Sequence, residues 1–417
     1  MRKVATSRIE TLKKRLKRDG LKKTVSFALG NSAYKIAAKV EKPRLKKQPL
    51  EKVITFYSSP DYSDNAKALY EYYLQDDDYK DYRFVWFVHE KKRYNDDPRT
   101  TFMQGETPLH WDYSLKAQKV LAKAEVIYCT HVPGFKKLNK PGQLVINLWH
   151  GCGYKDSQLK EHERDQWFDY ALVPGELFID TKAKYWSCEK EKIVPIGYPR
   201  YDVMLRGSDE AHKYMKSLTK NRVVIWMPTF RKSNVPGFPE QNMEIKFDLP
   251  ILDNVEQLKE LNDYCRENKL TIIVKRHPVQ KKYSCEDEQL SNVLFVSNED
   301  LREHGVDLYA FMKESDALIT DYSSIAIDYL LLDKPMAFAL DDFDSYKDAR
   351  GFVFDDPRKY MPGEHLYNFE DFKRFLVDVA KNKDSHKAER TKVRKVTHNP
   401  TKNYCERVVK FVESKKN

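Results

Sequence analysis

The sequence predicts two facing α/β domains, each a doubly wound parallel sheet of Rossmann type, behind a basic helical N-terminal extension. Three observations predict it. From residue 52 onward, short apolar runs alternate with amphipathic or charged stretches, the pattern of buried parallel strands separated by helices. The alternation breaks at a polar stretch over 206–221 and then restarts. The length of 417 residues suits two to three domains.

In the first series, VITFYSS (53–59), FVWFV (84–88), VIYCT (126–130), LVINLW (144–149), YALVPG (170–175) and IVPIG (193–197) read as strands. Between the first two, SDNAKALYEYYL (63–74) reads as a helix capped by Ser63 or Asp64. In the second series the strands are VVIWMPTF (223–230), LTIIVKRHP (270–278), VLFVS (293–297), ALITD (317–321) and PMAFAL (335–340). Helical patterns over 254–268 and 324–332 separate them. The resulting division is a basic extension over 1–50, a first domain over 51–205, a second over 206–385 and a C-terminal basic helix over 386–417.

Charge distribution excludes a function class. The net charge is +11, yet residues 1–50 carry +13 and residues 381–417 carry +8, leaving −10 on the body between them. A nucleic-acid enzyme lines its groove with the basic residues, so nucleic acid is not the expected partner. Ile9, Leu12 and Leu16 fall at helical spacing among Lys13, Lys14, Arg15, Lys17 and Arg18. That stripe fits an amphipathic helix on an anionic membrane surface, with a solvated basic tail as the alternative. No run of 18 apolar residues and no secretory h-region occur. Six scattered cysteines without a CxxC pair fit reduced thiols rather than disulfides or zinc.

Ligands of doubly wound sheets sit beyond the carboxyl ends of the strands. Four strand ends there carry polar chemistry. LWHGCGYK presents His150, Gly151 and Lys155; WMPTFRKS presents Thr229, Arg231 and Lys232; IIVKRHP presents Lys275, Arg276 and His277; LITDYSS presents Asp321, Ser323 and Ser324 just before a helix. A serine N-cap with free backbone N–H groups makes an anion site, or simply an ordinary cap. A guanidinium at a strand end clamps phosphate oxygens or pairs with a structural carboxylate. His150 reads either as a general base beside two glycines or as a satisfied core histidine.

WHG with Lys155, GYPRYD (197–202), MPTFR (227–231), VKRHP (274–278), TDYSSIAIDY (320–329) and DSYKDARGF (344–352) occur in that order. Together with 62–74 they resemble the CDP-glycerol glycerophosphotransferase family, the teichoic acid primases and polymerases with related capsule enzymes. The resemblance spans about residues 52–380. It implies a glycosyltransferase-B-like fold that moves a polyol phosphate from a CDP-polyol to a hydroxyl of a lipid-linked saccharide acceptor, releasing CMP. It places the acceptor in the first domain and CDP-glycerol in the second, at the cytoplasmic face of the cell membrane with peripheral attachment.

By the same resemblance His150 is the general base and His277 the second catalytic histidine, near the pyrophosphate. Lys155, Thr229, Arg231, Arg276, Asp321, Ser323, Ser324, Asp328 and Arg350 are the candidate substrate contacts, and Tyr346 lies in a matching motif. No carboxylate cluster arranged for a metal is visible, so no resident cofactor is expected, with Mg²⁺ on the substrate pyrophosphate compatible. CDP-ribitol is the alternative donor, and a nucleotide-sugar glycosyltransferase the remoter reading. Cys152-Gly153-Tyr154 stand where relatives often place Thr or Ser soon after WHG, which bears on acceptor preference.

Overall fold

The apolar runs become two sheets in which every strand pair is parallel. The computed structural model describes residues 40–104, 115–131, 137–156, 167–229, 247–277, 280, 282–399 and 402–416, with positions 16, 20–22 and 24–25 besides. Arg231, Lys232 and most of the basic extension lie outside the described residues.

The first sheet holds β1 (Glu51–Tyr57), β2 (Arg83–Val88), β3 (Thr100–Gln104), β4 (Ala124–Cys129), β5 (Leu144–Asn147), β6 (Tyr170–Leu172) and β7 (Ile193–Val194), in the order β3-β2-β1-β4-β5-β6-β7. The second holds β8 (Arg222–Trp226), β9 (Leu270–Lys275), β10 (Val293–Val296), β11 (Ala317–Thr320), β12 (Met336–Ala339) and β13 (Glu364–Leu366), in the order β10-β9-β8-β11-β12-β13. Each reverses its winding once, between β1 and β4 and between β8 and β11. Those two reversals open the crevices where such sheets bind ligands. The edge strands β3 and β13 were not anticipated, being short and without a continuous apolar run.

Among the described residues the α-helices are α1 (Asp64–Gln75), α2 (Leu115–Lys123), α3 (Ile179–Trp186), α4 (Arg200–Arg206), α5 (Asp209–Leu218), α6 (Val255–Glu267), α7 (Asn298–Glu303), α8 (Leu308–Lys313), α9 (Ile325–Tyr329), α10 (Phe343–Ala349), α11 (Phe369–Ala380), α12 (Lys387–Thr397) and α13 (Tyr404–Lys416). The polar stretch expected over 206–221 is largely α5. Ser208 accepts the Ala211 N–H at its start, while Ala211, Tyr214 and Met215 are its buried face. The expected 324–332 helix is α9 followed by a 3₁₀ turn over Leu330–Leu332. The expected single C-terminal helix is two, because the chain leaves helical geometry at His398, ahead of an Asn399-Pro400 pair that disfavours continuation.

Aromatic stacking organises the first core. The Phe56 ring lies between Trp86 (centroids 5.1 Å) and Tyr128 (5.4 Å) on neighbouring strands, and the Tyr73 and Tyr128 hydroxyls share a hydrogen bond of 2.7 Å. One face of the second sheet, with Val224, Trp226, Ile272 and Val274, buries α6 and α11 in a separate core. Its other face belongs to the same apolar cluster as the first domain, joined through buried residues of α4 and α8. The interdomain contact is therefore continuous core rather than a polar seam. Finally α13 returns to the first domain: Asp202 accepts the N–H groups of Tyr404 (3.0 Å) and Cys405 (2.7 Å), and Tyr404, Cys405, Val408 and Val412 are buried there.

Candidate active site

Beyond β5 the chain makes a sharp elbow. The Asn147 Oδ1 accepts the Trp149 N–H (2.9 Å), and Trp149 adopts φ 53°, a left-handed conformation costing about 1 kcal/mol or more in a non-glycine residue. Asn65, at the start of α1, holds the strained turn by donating from Nδ2 to the carbonyls of Leu148 (3.2 Å) and Trp149 (2.8 Å). The elbow delivers His150 to the crevice at the β1/β4 reversal. There Nδ1 donates to the Thr130 carbonyl at 3.2 Å, which leaves Nε2 as the unprotonated nitrogen.

The imidazole keeps part of its surface open to solvent while protein encloses the rest. Desolvation is the main cause that pulls its pKa well below 6.5. His131, Lys182 and Arg200 push the same way, and the Thr130 hydrogen bond opposes them. His150 is therefore neutral at pH 7, the state a base requires.

Arg200 ties this loop to both domains. Its side chain is only 1% exposed; Nη1 donates to Asp64 Oδ1 (2.7 Å) and to the His150 carbonyl (3.0 Å), and Nη2 donates to Asp328 Oδ2 (2.7 Å). The Tyr201 hydroxyl donates to the other Asp328 oxygen at 2.6 Å. Burial disfavours charge on Arg200, but Asp328 and Asp64 outweigh it and hold the guanidinium ionised. This corrects the expected role of Asp328. At 1% exposure and engaged by Arg200 and Tyr201, it is a tie between domains rather than a substrate contact.

The second domain closes directly onto the histidine loop. A Cβ on Gly151 would stand 2.5 Å from Ser324 Oγ, and one on Gly153 would stand 2.8 Å from the Ser324 Cα. Lys155 pairs with Phe352 in an antiparallel bridge, flanked by Asp156 N–H to Gly351 O (3.0 Å) and Val353 N–H to Tyr154 O (2.9 Å). His277, beyond β9, is half-buried. Burial first, then the charges of Lys155 and Lys275, lower its pKa to about 3. Lys155 of one domain and His277 of the other thus share one electrostatic neighbourhood.

Other expected contacts are committed elsewhere. Asp321, fully buried, accepts the Thr229 N–H (2.8 and 3.0 Å) and the Thr229 hydroxyl (2.5 Å), so this pair fixes the β8 and β11 ends to each other. That corrects Asp321 from substrate contact to scaffold and places the Thr229 hydroxyl on it. Arg276 gives Nη1 to both oxygens of Glu286 at 3.0 Å. Ser324 precedes α9 without a side-chain cap bond, and Ser323 Oγ accepts the Ile325 N–H weakly at 3.4 Å. Arg350 ends α10, one residue before the Gly351 that meets Asp156. Cys152 and Tyr154 are fully buried, with Cys152 Sγ 3.2 Å from the Tyr198 hydroxyl and the Tyr154 hydroxyl donating to the Tyr360 carbonyl. Neither side chain reaches the surface.

A histidine loop of one Rossmann-like domain laid against a helix start of a second defines a glycosyltransferase-B-like two-domain fold with its site in the interdomain cleft. Residues 40–414 match the family model described as CDP-glycerol:poly(glycerophosphate) glycerophosphotransferase, and the chain belongs to that family of teichoic acid polyol-phosphate transferases. It is 26% identical over 371 residues to a teichoic acid glycerol-phosphate transferase of Staphylococcus aureus (strain NCTC 8325 / PS 47), covering 82% of this chain and 86% of that one. It is equally 26% identical over 294 residues to a teichoic acid ribitol-phosphate primase of Bacillus spizizenii (strain ATCC 23059 / NRRL B-14472 / W23), covering 65% and 69%. A structure of the wall teichoic acid polymerase TagF, soaked with CDPG, superposes with a TM-score of 0.69 at 19% identity over 98% of both chains. That likeness shows the fold.

Sequence reasoning missed Arg200, Asn65, Thr130 and His131. The last two directly follow a strand, so the rule that selected His150 also points to them. Arg200 carried a weaker signal, a lone arginine between the tyrosines of GYPRYD. Replacing Arg200 with Ala leaves two buried carboxylates unpaired and is expected to lower unfolding stability by about 3–5 kcal/mol in urea titration. Gly153→Ala pushes a methyl against Ser324 backbone, which cannot swing aside. We expect about 1–3 kcal/mol of destabilisation together with at least tenfold lower turnover, measured on the same preparation.

Proposed function

We propose that the protein transfers glycerol phosphate from CDP-glycerol to a hydroxyl of a lipid-linked saccharide acceptor and releases CMP, in assembly of teichoic acid or a capsular polymer. The observation that carries this is the neutral His150, its Nδ1 tied to Thr130, on a loop whose Gly151 and Gly153 lie directly against Ser324 of the second domain. His150 Nε2 takes the acceptor hydroxyl proton as that oxygen bonds to the glycerol-bearing phosphorus. The bond from this phosphorus to the bridging oxygen breaks, and CMP leaves with the electron pair. Little covalent participation is needed, so positioning and charge neutralisation supply the rate.

Lys155 and His277 are assigned to the pyrophosphate, with the Ser323–Ser324 turn and Arg231 as further donors. His277 enters neutral and donates an N–H, and the arriving phosphate charge raises its proton affinity. Removing one such donor typically costs ~10²–10³ in rate. We assign no resident metal to the step; Mg²⁺ travels on the substrate pyrophosphate.

The test is CMP release with CDP-glycerol, CDP-ribitol or UDP-sugars, each with a lipid-linked disaccharide acceptor. Turnover with CDP-glycerol is expected. Turnover with CDP-ribitol alone reassigns the donor, and turnover only with UDP-sugars overturns the reading. His150→Ala is expected to abolish transfer while CDP-glycerol binding survives. Because the His150 pKa lies well below 6.5, kcat/KM should hold its plateau through pH 6.5 and fall only at lower pH.

We further propose peripheral attachment to the cytoplasmic face of the cell membrane, with basic residues of 1–50 facing anionic lipid. Among the described residues no helix is long and apolar enough to cross a membrane. Each Lys or Arg near such a surface adds about 1 kcal/mol of attraction. Flotation with phosphatidylglycerol vesicles should fall with added salt and with deletion of 1–40; unchanged binding after that deletion sinks the proposal.

A further inference from the structure

His131 stands two residues beyond the end of β4, at the winding reversal of the first sheet, and its ring lies parallel to that of His150. The centroids are 4.2 Å apart and the planes 10° from coplanar. The His131 Nδ1 is 2.9 Å from the Thr130 hydroxyl, so the ring is oriented by the residue whose carbonyl orients His150. The dipeptide Thr130-His131 thus touches the base twice, once at Nδ1 and once across its face. Trp149 adds a second ring at 3.9 Å, tilted by 38°.

We propose that His131 is a positioning residue for the transfer reaction, a neutral aromatic platform that fixes the plane of His150 and stabilises the imidazolium formed when His150 takes the acceptor proton. The inference rests on the function proposed above. Two physical effects support it. A hydrogen bond through Nδ1 alone leaves the imidazole free to rock about that bond, whereas a parallel ring at van der Waals distance restricts the rocking and keeps Nε2 aimed. A neutral π face also attracts a cation more than a neutral ring. The stack therefore strengthens as His150 gains charge, so it favours the transition state over the ground state.

The platform works only while His131 is uncharged. Burial lowers its pKa to about 4, with Asp64 pulling the other way. His131 opposes protonation of His150 only when it is itself charged, below about pH 4; at neutral pH the charged groups acting on His150 are Lys182 on α3 and Arg200 on α4, and both oppose its protonation. Stabilisation of the imidazolium has to come from elsewhere, and the Thr130 carbonyl, the His131 face and the Trp149 ring are the neutral groups placed for it.

The experiment compares wild type with His131→Ala, His131→Asn and His131→Phe. Steady-state CMP release is measured with CDP-glycerol and the lipid-linked acceptor, and the His150 tautomer and pKa are followed by ¹H–¹⁵N correlation spectra. Phe keeps the ring and loses the Thr130 contact, so it should retain kcat within about threefold. Ala and Asn should lose about 10- to 100-fold in kcat with the donor KM nearly unchanged, the scale expected for a misplaced catalytic group. Their spectra should show a lower His150 pKa or a mixed tautomer. Wild-type kcat in His131→Ala overturns the inference. So does a raised donor KM at constant kcat, which would make His131 a donor contact, and so does a Phe variant as slow as Ala. Wild type that turns over no CDP-polyol refutes the proposed function instead, and the His150 spectra then decide the positioning role without any turnover.

Discussion

The buried guanidinium of Arg200 is the constraint on which the site depends. One side chain satisfies a carboxylate of α1, a carboxylate of α9 and the backbone carbonyl of His150, and the Arg200 backbone N–H reaches Asn65. A charge so deeply buried costs several kcal/mol in desolvation, recovered only where geometry and pairing are good. Two carboxylates, a carbonyl and three tyrosine rings meet that condition. The consequence is that the interdomain angle and the position of His150 are one variable. Neither domain can rotate without breaking a bond to the guanidinium that holds the His150 loop.

The electrostatics of the cleft follow from this closure. His150 and His277 are kept neutral by desolvation and by neighbouring cations, and His131 by burial against the pull of Asp64. A cleft with lysines and uncharged imidazoles suits the proposed chemistry, in which a pyrophosphate binds and an imidazole lone pair takes a proton. The carboxylates that would repel phosphate are turned to other work: Asp321 holds Thr229, Asp328 holds Arg200, and Glu286 holds Arg276. Negative charge is present in these motifs, but each carboxylate is engaged by a donor.

The fold was legible because buried parallel strands are continuous apolar runs, and eleven of the thirteen strands among the described residues announce themselves that way. β3 and β13 do not, since an edge strand needs only a few apolar side chains to seal one sheet margin. His150 was legible from its place after β5, and its neighbourhood with Ser324 and Lys155 from the family motifs. Asp328 was misread because a carboxylate in a motif looks the same whether it faces substrate or a buried arginine 128 residues away. Cys152 and Tyr154 were flagged for being unusual letters beside the base. Their side chains point into the core because the flanking glycines, not they, form the contact with the second domain.

The return of α13 to the first domain bears on how the chain comes to be folded at all. Tyr79 donates to Glu413, 334 residues later, and the Cys405 thiol lies against the Ala68 carbonyl, 337 residues later. During synthesis the first sheet leaves the ribosome well before α13, so the apolar surface that α13 covers stays open until that helix emerges. At about 5–20 residues per second that interval is tens of seconds, long enough for an exposed surface to need protection from aggregation. The first domain is complete only once α13 has emerged, so its core and that of the second domain are finished together.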